Sequence, residues 1–136
     1  LAGEHDFHNL TPDDDGTVRA VAVEWTREGD VLVVRFTASG FCRQLVRRLV
    51  GLAAAVGRGS ADLARVDRVL SPDPVSGPDG VAPAPPAPLV LTDVRYPGVT
   101  FAVDEDAAAS ARAAFEERRG RALAAARVAG HVSDGL

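Results

Sequence analysis

Residues 18–25 (VRAVAVEW) and 31–38 (VLVVRFTA) are two runs rich in β-branched and apolar side chains, separated by the polar stretch 26–30. Gly29 in that stretch is free to take a positive φ, so the pair predicts a β-hairpin. In the second run Leu32, Val34 and Phe36 fall on one face, while Arg35 and Thr37 fall on the other. That two-residue period belongs to a strand with one buried face. The period then lengthens. Over residues 41–56, Phe41, Leu45, Val46, Leu49, Leu52, Ala53 and Val56 gather on one arc at about 100° per residue, which predicts a helix. Gly57-Arg58-Gly59 ends it. Ser60 is placed to cap a shorter helix running to Leu70, and Ser71-Pro72 stops that one.

Seven of the nine prolines lie in residues 71–88, which reads as an extended, helix-excluding connection. Residues 89–96 (LVLTDVRY) predict a third strand ended by Pro97-Gly98, and residues 99–103 a short fourth. Asp104-Glu105-Asp106 then opens an alanine-rich helix running toward Arg127, with Gly120 expected to interrupt it. Acids at its start and arginines near its end suit the helix dipole. The order β-β-α-α-β-α predicts an α+β fold: an antiparallel sheet with helices packed on one face and a long C-terminal helix. The expected organisation is a domain over residues 1–103 and a helical tail over residues 104–136.

Composition narrows the classes. With 136 residues, 46% apolar and 25% charged, the chain is an ordinary globular domain rather than a disordered one. No apolar run reaches the ~18 to 20 residues of a membrane span. The single cysteine, Cys42, excludes an internal disulfide framework and a multi-cysteine zinc site. It lies on the apolar side of its helix and is expected to be a buried thiol. A net charge of -4, from 15 basic and 19 acidic groups, gives no global signal for nucleic acid, so any polyanion must meet a local patch. All the basic residues are arginine, and the chain has no Lys, Ile or Met. That pattern reads as codon bias from a GC-rich genome and says nothing about mechanism. Opening on Leu1 without a methionine, the chain is expected to be a piece of a longer protein or a processed product.

The strongest local signal is an arginine cluster. Arg43 and Arg47 stand one turn apart on the arc opposite the apolar one, with Gln44 and Arg48 beside them. Guanidinium groups can grip phosphate or carboxylate through two parallel bonds and stay charged when desolvated. A solvated helix face remains the alternative. Further along that arc Gly51, Ala54 and Ala55 form a shallow strip that would let another chain approach closely. His5-Asp6-Phe7-His8 offers two histidines and a carboxylate but no further ligand cluster at metal spacing, so a histidine that orients a loop is the expected role. Asp13-Asp14-Asp15-Gly16 reads as a solvated turn and lacks the spaced oxygens of a calcium loop. Glycine-rich phosphate loops, GxSxG elbows and HExxH helices are absent from the sequence.

Four segments together carry a family resemblance. Gly3-Glu4-His5-Asp6-Phe7 resembles the G-E-H/N-D-F segment of the tRNA pseudouridine synthase A family. Residues 41–51 (FCRQLVRRLVG) are similar to its F-x-x-x-M/Q-V-R-x-x-V-G helix, and Val56-Gly57-Arg58-Gly59 to the V-G-x-G ending. Residues 84–91 (APPAPLVL) and 93–97 (DVRYP) resemble A-P-P-x-G-L-Y-L followed by V-x-Y-P. The resemblance covers residues 1–97 in the family's order and spacing.

It implies conversion of uridine to pseudouridine in tRNA, with uridines of the anticodon stem-loop as usual targets, in the cytoplasm, without cofactor or metal. Family members are usually homodimers. Their nucleophilic aspartate sits in an R-T-D-x-G-V-H-A segment that this chain lacks, so the chain resembles the C-terminal half, with the N-terminal catalytic half as its partner. The arginine of V-R-x-x-V-G carries over to Arg47, which the family pairs with that aspartate. Leu89, at the A-P-P-x-G-L position, would wall the pocket for a flipped uracil. Pro88 replaces the family's glycine and Val90 its common tyrosine, which alters the pocket loop. Arg43 and Gln44 are candidate RNA or subunit contacts. The alternative reading is a non-catalytic RNA-binding or dimerisation module on the same scaffold.

Overall fold

The computed structural model describes residues 1–75 and 80–134. Residues 76–79 of the proline-rich connection and the last two residues lie outside this description. The chain forms two compact units, Leu1–Val90 and Leu91–Leu136.

The first unit is built on a three-stranded antiparallel sheet in the order β1 (Gly3–Asp6), β2 (Val18–Glu28), β3 (Val31–Thr37). The predicted hairpin is present and longer than expected. Glu28 pairs with Val31, so only Gly29 and Asp30 make the turn, and Gly29 takes φ 61° at its first central position. Mirror-image hairpin turns of this length need that geometry there. β1 was not legible as a strand, because Gly-Glu-His-Asp shows no apolar alternation. It pairs in register with β2, from Gly3 opposite Val21 to Asp6 opposite Val18. A short 3-10 helix, His8–Leu10, follows it and buries Leu10.

α1 (Leu45–Gly57) and α2 (Leu63–Val69) close the unit. Leu45, Leu49 and Leu52, spaced at i, i+4 and i+7, are buried, as one face of a helix against a sheet requires. They form one core with Phe7, Leu10, Val21, Cys42, Val69 and Val81. Val23 and Phe36, paired across the hairpin on the Val21 face, pack against that core. The fold is therefore α+β, with α1 and α2 on one face of the sheet. Cys42 is buried in the core as expected.

Local boundaries differ from expectation for identifiable reasons. α1 starts at Leu45 rather than residue 41, because Gln44 adopts a left-handed conformation (φ 60°, ψ 0°) that a right-handed helix cannot contain. Phe41 and Ala53, placed on the apolar arc by period alone, are exposed. α2 is capped by Asp62 and not Ser60: the Asp62 carboxylate accepts the N–H of Arg65 at 2.8 Å, while the Ser60 hydroxyl donates backward to Ala55 O. Asn9 ties the far side of the unit together. Its amide Nδ2 lies 3.1, 3.4 and 3.0 Å from the carbonyls of Val69, Ser71 and Asp73, and its Oδ1 accepts the N–H of Val75 at 2.9 Å.

The chain from residue 89 onward corrects two expectations. Residues 89–96 and 99–103 are not strands. The turn between them does form, with Gly98 at φ 74° and Val99 N–H bonded to Tyr96 O at 3.2 Å. Pro97 and Gly98 suit its two central positions. Leu91, Val99, Phe101 and Val103 are all exposed, however, and an uncovered pair of strands is marginal in water. The C-terminal helix, α3 (Glu105–Asp134), is one uninterrupted run of 30 residues that passes through Gly120 and extends beyond Arg127. Its i, i+3 and i, i+4 pairs Glu116–Arg119 and Glu117–Arg121 lie on an exposed surface. Among the described residues, no helix is long and apolar enough to cross a membrane.

The close approach of residues 81–84 to α1, detailed below, makes Gly51 a test of this packing. A Cβ at Gly51 would fall inside contact distance of the Ala82 carbonyl oxygen. Helix propensity alone would have Gly51→Ala stabilise by roughly 0.5–1 kcal/mol. The clash with backbone should reverse the sign and cost about 1–3 kcal/mol. Urea unfolding of the two proteins measures it.

Candidate functional site

The arginine face of α1 is occupied by the chain's own backbone. Residues 80–84, returning from the proline-rich connection, lie along the helix. Arg47 donates from Nε to Ala84 O at 2.7 Å, and Ala84 N–H donates back to Arg47 O at 2.9 Å. One turn on, Gly51 leaves the space that the Ala82 carbonyl fills. Arg48 donates from Nη1 to Val81 O at 2.7 Å, and Arg65 of α2 from Nη2 to Gly80 O at 3.0 Å. Three guanidinium groups thus satisfy three carbonyls of a segment that belongs to no sheet. Buried carbonyls need such partners. Of the small strip read from the sequence as a place for another chain, Gly51 is instead approached by this chain's own Ala82 carbonyl.

Arg47 is half-buried. Its Nε is committed to Ala84, and among the described residues neither Nη atom has a hydrogen bond or an ion pair. The outer edge of this guanidinium carries two parallel donors, the geometry that a carboxylate accepts. Arg47 is thus a fixed, partly desolvated cation with one face committed and one available.

The neighbouring candidates take different positions. Arg43 is turned toward the loop before β2. Its N–H donates to Asp13 Oδ2 at 2.8 Å, its Nε to Asp13 Oδ1 at 2.9 Å and its Nη2 to Pro12 O at 3.2 Å. The Arg43 N–H holds the Asp13 carboxyl below its ordinary 3.8, helped by the Arg43 guanidinium and the Thr11 hydroxyl. Gln44 is exposed, and its Oε1 accepts from Arg48 Nε at 3.4 Å and Nη2 at 3.3 Å. Leu89 stands five residues beyond Ala84. Its N–H closes a turn on Pro86 O at 3.0 Å, and the residue is 48% exposed. Arg47 and the segment leading to Leu89 are therefore joined, while Arg43 is engaged elsewhere. Sequence reasoning missed Arg65 and the 80–84 carbonyls; the one signal for them was the smallness of Gly51.

The His5-Asp6-Phe7-His8 segment is structural in its contacts. His5 Nε2 lies 3.0 Å from Ala2 O, and the ring meets Phe7 edge-on at 5.6 Å between centroids. Asp6 accepts the Thr17 hydroxyl at 2.6 Å and the N–H of His8 at 3.1 Å. The Thr17 hydroxyl, chiefly, holds the Asp6 carboxyl below its ordinary 3.8 against the opposing effect of burial. These bonds fix β1 against β2 and set the path into the core residue Phe7.

A model of the tRNA pseudouridine synthase family matches residues 1–97. The chain belongs to that family. It is 69% identical over 136 residues to the tRNA pseudouridine synthase A of Haloarcula marismortui, covering all of this chain and 50% of that protein. Identity to the enzyme of the same name from Natronomonas pharaonis is 57% over 133 residues, covering 98% of this chain and 50% of the relative. The Halobacterium salinarum protein of that name is 50% identical over 133 residues, again over half its length. The chain thus spans about half the length of these curated relatives. Similarity to the Haloarcula protein runs through α3, which lies beyond the family match.

Because a depressed carboxyl adds stability above its unfolded pKa, that increment disappears as pH falls through the lowered folded value. Asp6 should therefore contribute to acid sensitivity below about pH 4, its ordinary value being 3.8. Asp6→Asn should lower stability at pH 7 and narrow the gap to the parent as the pH falls toward 2. Urea midpoints at a series of pH values would show this; parallel curves would contradict it.

Proposed function

We propose that this chain is the C-terminal part of a tRNA pseudouridine synthase, an isomerase that converts uridine to pseudouridine in the anticodon stem-loop region. The nucleophilic aspartate comes from the N-terminal half, and Arg47 is its partner. The observation carrying this reading is the state of Arg47, half-buried, held by Ala84 and with its outer edge unpaired among the described residues.

A carboxylate that attacks a nucleoside must stay ionised in a pocket from which water is excluded. An opposite charge within a few ångströms favours the ionised form and offsets the desolvation. Arg47 can supply this through two parallel bonds while its Nε bond to Ala84 prevents it from turning away. The reaction breaks the bond from sugar to uracil nitrogen, turns the base and rejoins it through carbon. Carbon loses one proton and the released nitrogen gains one, so no redox cofactor or metal is called for.

The target base must leave the stack to be reached, which favours loops and weak stem ends. Leu89, on the segment that continues from Ala84, walls the base pocket. Arg43, exposed beside Asp13 just before α1, adds to the RNA-facing surface. The complete enzyme acts on tRNA in the cytoplasm as a homodimer.

Arg47→Ala in an enzyme containing both halves should abolish pseudouridine formation in tRNA while leaving the circular-dichroism melting transition in place. Losing one electrostatic partner in a desolvated site costs about 10²- to 10³-fold in rate. Near-normal turnover in that variant would refute the assignment.

A further inference from the structure

Gln44 is the only non-glycine residue with positive φ among those described. Its φ of 60° and ψ of 0° lie in the left-handed region, where a side chain crowds the backbone and glycine is at ease. Glutamine also lacks the short side chain with which Asn or Asp stabilises that conformation locally. Strain of this kind persists where surrounding structure enforces it. Here the enforcing contacts are identifiable. Arg43 N–H before it is bonded to Asp13, and Gln44 O after it accepts the helix's Arg48 N–H at 3.0 Å.

What glutamine supplies that glycine could not is Oε1. That oxygen lies 3.4 Å from Arg48 Nε and 3.3 Å from Arg48 Nη2, while Arg48 Nη1 donates to Val81 O at 2.7 Å. Gln44 therefore steadies the guanidinium that anchors the front of residues 81–84. The rear of the same segment is the Ala84 carbonyl that fixes Arg47 Nε. Between them the Ala82 carbonyl sits against Gly51, leaving the segment little freedom to slide. Gly80 is tied to Arg65 just ahead of it.

From this chain of contacts we infer that Gln44 and Arg48 are a positioning pair that sets the direction of the Arg47 guanidinium through residues 81–84. Neither touches the reacting atoms. The pair rests on the proposed role of Arg47 and deepens it: the available edge of Arg47 keeps one direction because Arg48 holds the segment and Gln44 holds Arg48. A group displaced by ~1 Å can lose up to about 10²-fold in rate, so a loosened anchor acts on turnover rather than on binding.

The test uses the enzyme with both halves and measures steady-state and single-turnover pseudouridine formation on transcribed tRNA. Arg48→Ala should lower kcat about ten-fold with KM within about two-fold. Because Arg48 is half-buried and its bond to Val81 O also supports the fold, Gln44→Gly provides the second arm. It removes the buttress while relieving the backbone, so its thermal midpoint should equal or exceed the parent's as kcat falls about three-fold. Gln44→Glu, which can still accept from Arg48, should restore kcat. A kcat unchanged in Gln44→Gly, or a rise in KM alone as for an RNA contact, would overturn the positioning role. An inactive parent enzyme would instead remove the function on which the inference rests.

Discussion

The Ala82 carbonyl occupies the place that a side chain at residue 51 would need, and the architecture around Arg47 depends on that approach. With the helix backbone open at Gly51, Ala84 can reach the Arg47 carbonyl, and Arg47 Nε can return the bond. The same contact seats Val81 in the core with Leu45, Leu49 and Leu52. A proline-rich return segment, which has few donors of its own to offer a sheet, is thereby integrated through its acceptors. The helix supplies the donors as guanidinium groups, and the missing side chain supplies the room.

This arrangement revises what an arginine-rich helix face means here. In a chain of net charge -4, a basic surface suggested either solvation or contact with a polyanion. Arg47, Arg48 and Arg65 instead direct donors at their own chain's carbonyls, and Arg43 holds Asp13. Guanidinium suits this work because it presents several donors in a fixed plane and keeps its charge when partly desolvated. Arg47 differs from its neighbours in what is left over. One edge is spent on architecture, and the other is available to an incoming carboxylate.

The hairpin was legible in the sequence because strand alternation and Gly29 are both local signals. β1 was not, since four mostly polar residues acquire strand character only by pairing with residues 18–21. The late start of α1 was likewise hidden. Period placed Phe41 on the helix, but a bond from Arg43 to Asp13, thirty positions away, fixes the turn that precedes it. Residues 89–103 erred in the opposite direction, for their alternation is local while a ladder and a covered face are not. In the site, motif position was enough to single out Arg47. Its partner Ala84 lies across a stretch in which spacing carries no directional information, and only Gly51 hinted that something approached there.

Asn9 has a consequence for how the first unit assembles. Its bonds span 60 to 66 positions of sequence, joining the middle of the 3-10 helix to the exit of α2. Contacts of such separation form only after a large loop has closed, and that closure entropy must be met beforehand. The Asn9 bonds therefore form late, although Asn9 leaves the ribosome before the rest of this chain. Until α2 is in place the Asn9 amide has none of these four partners, and the mostly polar β1 has only its pairing with β2 to hold it. The last bonds of Asn9 are governed by the arrival of residues 69–75.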